Sequence, residues 1–182
     1  MFRMSSSIFL IGPMGTGKTT VAKVLEAEHG YQRYALATPV QETLDIVAPW
    51  TRGLSKAQRR PYAQRVGRFL RRSTPNPMLL QAEQVLSQSS RPLVIDDGRT
   101  LEEARWARSC GMTVVTLVAS EQERRRRLME RDGALPDPST FEDDTETEYL
   151  RVCWQIVDTT KMSVEEVVEA IMFGDYVRHR GH

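Results

Sequence analysis

The sequence predicts an α/β fold: a parallel sheet covered by helices on both faces. Three observations carry this expectation. Strand-like and helix-like segments alternate along almost the whole chain, the pattern of a sheet built from β-α-β units. Ser7-Ile8-Phe9-Leu10-Ile11 and Met112 to Val118 are near-continuous apolar runs, as strands buried on both faces must be. Between the first strand and the first helix stands Gly12-Pro13-Met14-Gly15-Thr16-Gly17-Lys18-Thr19, which fits G-x-x-x-x-G-K-[ST], the phosphate-binding loop (P-loop).

The elements follow in order. Ser6 to Gly12 reads as the first strand. Lys18 to His29 reads as the first helix, with Val21, Val24 and Leu25 as its apolar stripe and Gly30 just past its end. Tyr31 to Leu36 reads as a short second strand. Thr38 is placed to cap a helix that begins at Pro39 and buries Leu44, Val47 and Ala48. Ser55 to Arg72 reads as helical, with Pro61 expected to kink or divide it. Val66, Phe69 and Leu70 form its apolar side. After the loop Ser73 to Pro77, Met78 to Leu86 is helical.

Pro92 to Asp97 reads as a buried strand that runs into Gly98-Arg99, and Leu101 to Ser109 as a helix ended by Gly111. Ser120 caps a helix from Glu121 to Arg131, with Glu123 completing a capping box. Ala134 to Asp144 is polar and carries Pro136 and Pro138, so it reads as a loop or lid, followed by a short helix from Thr145 to Leu150. Gln155 to Asp158 is the last strand. Val164 to Phe173 is the last helix, with Val167, Val168 and Ile171 inward.

At 182 residues the chain is long enough for one domain with a sizeable core. A net charge of +1 points to neither nucleic acid nor membrane as a partner, although charge is unevenly spread. Residues 59 to 72 hold six arginines and no acid, and residues 137 to 148 hold six acids and no base. Cys110 and Cys153 lack the spacing of a disulfide framework or a zinc site. His29, His179 and His182 are scattered. No apolar run approaches membrane-spanning length, so a cytoplasmic location is expected.

The P-loop implies a bound nucleoside triphosphate. Its glycines let successive N–H groups converge on phosphate oxygens, and the following helix adds its positive end. Gly12, Met14, Gly15, Thr16, Gly17, Lys18, Thr19 and Thr20 are the expected ATP contacts, with Lys18 on the β- and γ-phosphates and Thr19 on Mg²⁺. Asp97, at a strand end, is the expected second metal residue. Ligands of such folds bind beyond the carboxyl ends of the strands, so the P-loop and Asp97-Gly98-Arg99 should meet there. Arg124, Arg127 and Arg131 share one helix face beside the Pro-rich loop, which suggests a lid that closes over triphosphate. Ordinary surface pairing, Glu123 with Arg127 and Arg126 with Glu130, is the competing reading.

Other classes fit less well. A GTPase needs N-K-x-D and D-x-x-G, but the one Asn is Asn76, followed by Pro77, and no Asp has Gly three residues on. A nucleic-acid-dependent ATPase could use the arginine-rich stretch, but only Tyr62 and Phe69 are available there for stacking.

The chain resembles the phage-type deoxynucleoside monophosphate kinases, relatives of the nucleoside monophosphate kinases. Beyond the P-loop, the resemblance rests on Ala37-Thr38-Pro39, Arg60-x-x-x-Gln64-x-x-Gly67 and Asp97-x-Arg99-x-x-x-Glu103. It continues through Arg127-x-x-x-Arg131, Thr145-Glu146-Thr147-Glu148, and Asp158 with the helix from Val164. Thr145 stands where the family usually has Ser, Gly98 replaces a bulkier residue, and Thr159 replaces an Asn-like turn. Dephospho-coenzyme A kinase, with a similar loop and an R-L-M-x-R-D-G-like lid, is the alternative.

The resemblance implies a P-loop kinase with a five-stranded parallel sheet (1–37, 90–120, 151–174), monophosphate-binding helices (38–89) and a lid (121–150). ATP and a deoxynucleoside monophosphate would be the partners, with Mg²⁺ as cofactor; a homodimer stays open, and the location would be host cytoplasm for a phage protein. Lys18, Asp97, Arg99, Arg127 and Arg131 would be catalytic, and Arg124 would join the ATP site. Arg60, Gln64, Arg68, Arg99 and Glu148 would hold the acceptor.

Overall fold

The computed structural model describes residues 6–133, 148–152 and 154–174. Two compact units emerge, one from residues 1–33 and 91–182, the other Tyr34–Ser90. The first unit holds the sheet: β1 (Ile8–Ile11), β3 (Leu93–Gly98), β4 (Thr113–Val118) and β5 (Ile156–Asp158), with β2 (Gln32–Tyr34) at the unit boundary. The sheet order is β2-β3-β1-β4-β5, and β1 pairs in parallel with both β3 and β4, as does β4 with β5. The expected five-stranded parallel sheet is present.

Its helices are α1 (Lys18–Glu28), α5 (Leu101–Ser109), α6 (Glu121–Asp132) and α7 (Val164–Phe173). Ile8, Leu10, Val94, Val115, Leu117 and Val157 from the strands pack with Val21, Ala22 and Leu25 of α1 and Val167, Val168 and Ile171 of α7 in one apolar cluster. On β1, Phe9 instead meets Trp106 of α5 edge to face, with ring centroids 6.4 Å apart. These residues alternate along β1, which is why the strand is apolar throughout.

The second unit contains α2 (Thr38–Val47), α3 (Lys56–Arg72) and α4 (Pro77–Gln88), with a 3₁₀ turn at Pro49–Gly53. Four local expectations need correction. Thr38 lies inside α2 and its hydroxyl donates to Ala35 O at 2.7 Å, so it does not cap the helix. The buried stripe of α2 is Val40, Leu44 and Ala48 at i, i+4 spacing, leaving Val47 58% exposed. Pro61 neither divides nor ends α3. It sits in the second turn, where a missing N–H removes a single i→i−4 bond, and a full capping box of Ser55 with Gln58 fixes the helix start.

Phe69 is also outside, 70% exposed. The helix turns Gly67 inward instead, close enough to Val40 that an added Cβ would lie 3.6 Å from Val40 Cγ2. Phe69, two residues on, therefore points the opposite way.

Candidate active site

The P-loop leaves β1 at Gly12 and enters α1 at Lys18, with φ of +147° at Gly12, +81° at Gly15 and +93° at Gly17. Two of these glycines are also needed for close approach. A Cβ on Gly12 would lie 2.1 Å from Leu117 O, and one on Gly15 would lie 2.8 Å from Arg124 O. The motif's glycines thus let the loop bend and let β4 and α6 support it from beneath.

Five successive loop carbonyls have donors. Lys18 Nζ donates to Gly12 O (2.5 Å) and Pro13 O (2.9 Å), and Thr16 Oγ1 also donates to Pro13 O (3.0 Å). Arg124 Nη1 reaches Met14 O at 3.4 Å, and Arg127 Nη1 reaches Gly15 O at 3.4 Å. Thr159 Oγ1 lies 3.0 Å from Thr16 O. Thr159, in the turn after β5, is 2% exposed and was missed in the sequence as a site residue. It could be noticed there only as a departure from the family's turn.

Arg127 receives a reassignment. Its Nη2 donates to Thr159 O at 2.7 Å, its Nη1 to Thr159 Oγ1 at 3.0 Å, and its Nε to Glu123 Oε1 at 2.7 Å. In this structure the guanidinium is a brace beneath the loop. Arg131 is a separate case, since it pairs with its neighbour Asp132 (Nε to Oδ1, 2.8 Å). The aligned arginines therefore divide: Arg124 and Arg127 reach the loop, and Arg131 does not. Arg124 Nε is buried with no hydrogen-bond partner.

Glu123 explains why the capping box on α6 is only half formed. Ser120 Oγ accepts from Glu123 N–H, but the Glu123 carboxylate goes to Arg126 and Arg127. Thr160 Oγ1 accepts from the Ser120 N–H in its place, at 2.9 Å. The hydrogen bond from Arg126, then that from Arg127, lowers the Glu123 pKa to about 2. The competing surface-pair reading is thus also met, by Glu123 with Arg127 and Arg126 with Glu130.

Asp97-Gly98-Arg99 lies where expected. Ile11, the last residue of β1, is in register with Gly98, so both loops leave the same edge of the sheet. Glu103, 1% exposed, accepts from the N–H groups of Arg99 (2.7 Å) and Thr100 (2.9 Å), which fixes the turn as it enters α5. Asp97 and Arg99 are half-buried, Thr19 and Thr20 exposed.

Asp96 is the acid that sequence reading passed over. It is buried, its Oδ2 accepts from Arg33 Nε at 3.1 Å, and its Oδ1 has no partner. β3 shifts register against β1 between Ile95 and Gly98, an irregularity that spans Asp96 and Asp97.

Mg²⁺ binds through one or two protein oxygens, with phosphate and water completing the shell. The Thr19 hydroxyl and the Asp97 carboxylate supply oxygens of that kind, so the donor set fits. Among the described residues no cluster of three His, Cys, Asp or Glu could hold a metal alone. Of the expected acceptor residues, Arg60 is half-buried and Gln64 and Arg68 are exposed on α3. The Glu148 side chain, and residues 134–147 of the expected lid, lie outside the described residues.

The model of the AAA domain family matches residues 8–151. The chain belongs to that family. Solved structures agree on the fold. A gluconokinase from Sinorhizobium meliloti 1021 has a TM-score of 0.59 at 21% identity, covering 94% of this chain and 92% of its own. A shikimate kinase from Acinetobacter baumannii, in complex with shikimate, has a TM-score of 0.57 at 15% identity, covering 97% and 98%. The tunicamycin resistance protein of Deinococcus radiodurans has a TM-score of 0.56 at 22% identity, covering 94% and 96%. The search of curated proteins returned no match. This AAA-domain chain thus has the fold of small P-loop kinases, and among its described residues no helix is long and apolar enough to cross a membrane.

Proposed function

We propose that this protein is an ATP-dependent small-molecule kinase, and that its acceptor is a deoxynucleoside 5′-monophosphate. The observation that carries the kinase reading is the shared sheet edge: Ile11, which opens the P-loop, is paired with Gly98, between Asp97 and Arg99. A donor loop and an Asp–Arg pair side by side are what phosphoryl transfer requires, since catalysis there is mostly positioning and charge stabilisation.

Lys18 and the loop amides hold the β- and γ-phosphates. Bound Mg²⁺ would neutralise phosphate charge, held by Thr19 and through water by Asp97. Arg99 bridges donor and acceptor phosphates, using a fork that a lysine lacks. An oxygen of the acceptor phosphate attacks the γ-phosphorus as the bond to the β-bridging oxygen breaks, giving the deoxynucleoside diphosphate and ADP. That oxygen is already ionised near neutral pH, so no strong base is needed. Arg131 supplies charge from α6, while Arg124 and Arg127 serve ATP through the loop. Arg60, Gln64, Arg68 and Glu148 are the acceptor-binding residues in this proposal.

The neighbouring folds favour a second reading. The gluconokinase and shikimate kinase are named for hydroxylated carboxylic acids, and a hydroxyl acceptor would need a base, a role that would fall to Asp97. One experiment separates the readings: ADP formation with ATP and Mg²⁺ across the deoxynucleoside monophosphates, dephospho-coenzyme A, gluconate and shikimate. Turnover with a deoxynucleoside monophosphate supports the main reading. Turnover confined to the other acceptors replaces it.

A further inference from the structure

Thr159 lies outside the P-loop motif, yet it makes the shortest of the three hydrogen bonds that α6 and the β5 turn extend to the loop. Its hydroxyl lies 3.0 Å from Thr16 O and 3.2 Å from Val118 O, and accepts from Arg127 Nη1 at 3.0 Å. Its backbone is pinned as well, with Thr159 N–H donating to Val118 O at 2.8 Å and Thr159 O accepting from Arg127 Nη2. The residue is therefore fixed to β4 and α6 before it touches the loop.

A trans peptide unit is planar, with its C=O and the next residue's N–H pointing in opposite directions. Arg124, Arg127 and Thr159 draw the carbonyls of Met14, Gly15 and Thr16 toward α6 and the β5 turn. The N–H groups of Gly15, Thr16 and Gly17 consequently point the other way, into the loop's concavity. Those are the groups that would receive phosphate oxygens.

We infer that Thr159, locked by Arg127, is a positioning residue that sets the loop amides for phosphate before the nucleotide arrives. The inference rests on the reading that this loop binds triphosphate. It differs from a role in which Thr159 touches the nucleoside, because it acts on the phosphate part alone. Donors fixed in advance need no reorganisation on binding, which is where such a device gains affinity.

The test compares Thr159→Val and Thr159→Ser for binding of ATP and of inorganic tripolyphosphate, which has no base or sugar. Valine keeps the branched shape and removes the hydroxyl, leaving Thr16 O and Arg127 Nη1 without that partner. Thr159→Val should weaken both ligands by about tenfold, the usual consequence of leaving one buried group unbonded. Thr159→Ser should restore both. Arg127→Lys, a point charge that cannot serve Thr159 and Gly15 together, should lower both affinities in the same sense and carries the test if the valine variant folds poorly. Amide exchange at Gly15 to Gly17 should be faster in Thr159→Val than in the wild type.

Wild-type affinity in Thr159→Val, or no recovery in Thr159→Ser, overturns the inference and leaves the kinase reading standing. Weaker ATP with unchanged tripolyphosphate assigns Thr159 to the nucleoside and also overturns it. A wild-type protein that binds neither ligand removes both this inference and the triphosphate reading beneath it.

Discussion

Arg33 Nε and Asp96 Oδ2 are 3.1 Å apart, and the Asp96 side chain is 2% exposed against 33% for Arg33. The pair joins edge strand β2 to β3 next to the site. A carboxylate so buried needs its cation, although the half-open arginine is screened by water. Arg33→Met should therefore cost about 1–3 kcal/mol in urea unfolding, the cost of an unsatisfied buried group. A loss below about 0.3 kcal/mol, the scatter of ordinary surface changes, would mean that water satisfies Asp96 once Arg33 is gone.

Asp97 and Arg99 should separate from Asp96 in kinetics. Arg99→Ala should lower kcat by roughly a hundredfold or more while ATP still binds, since the proposed mechanism uses its charge in transfer. Asp97→Asn should lower kcat with unchanged thermal stability and a higher Mg²⁺ requirement. Asp96→Asn should act mainly on stability. Near-normal kcat in Arg99→Ala, measured at saturating ATP, removes that residue from the site.

Gly98 is set by Phe9. A Cβ at position 98 would lie 2.4 Å from Phe9 Cε1 and 2.5 Å from Phe9 Cζ, with Leu10 O at 2.9 Å. The ring fills the space that a side chain at 98 would take, which explains the glycine where the resembling family has a bulkier residue. Gly98→Ala should destabilise by about 1–3 kcal/mol through overpacking. Phe9→Leu in the same chain should recover part of that loss, and a double-mutant cycle showing simple additivity would refute the coupling.

Glu123 gives the pH dependence a sign. Its folded pKa, about 2, lies below the ordinary value of 4.5. The stabilisation it gives α6 is thus fully present above pH 4.5 and is lost as pH falls from 4.5 toward 2. The difference in Tm between wild type and Glu123→Gln should be constant above about pH 5 and shrink below it. A difference that changes between pH 6 and 8 would assign the effect to another group.

The sequence by itself determined the strand–loop–helix unit and the parallel sheet. Buried parallel strands must be apolar on both faces, and a P-loop needs its glycines and lysine in local order, so both signals are short-range. Ile11 beside Gly98 was legible for the same reason, because parallel strands place their carboxyl ends at one edge.

Only the tertiary structure decided which charges serve the loop. In the sequence Arg124, Arg127 and Arg131 are equivalent by helical spacing, whereas packing gives the first two to loop carbonyls and the third to Asp132. Asp96 carried no periodic or motif signal, and Thr159 only a departure from the resembling family's turn. Thr159 acts on Thr16 from 143 positions away, and Asp96 meets Arg33 across 63. Likewise Phe69 and Val47 are apolar by type yet outside, because Gly67 and Val40 occupy the contact between α2 and α3. Long-range pairing is fixed by how elements pack, and spacing along one chain does not encode it.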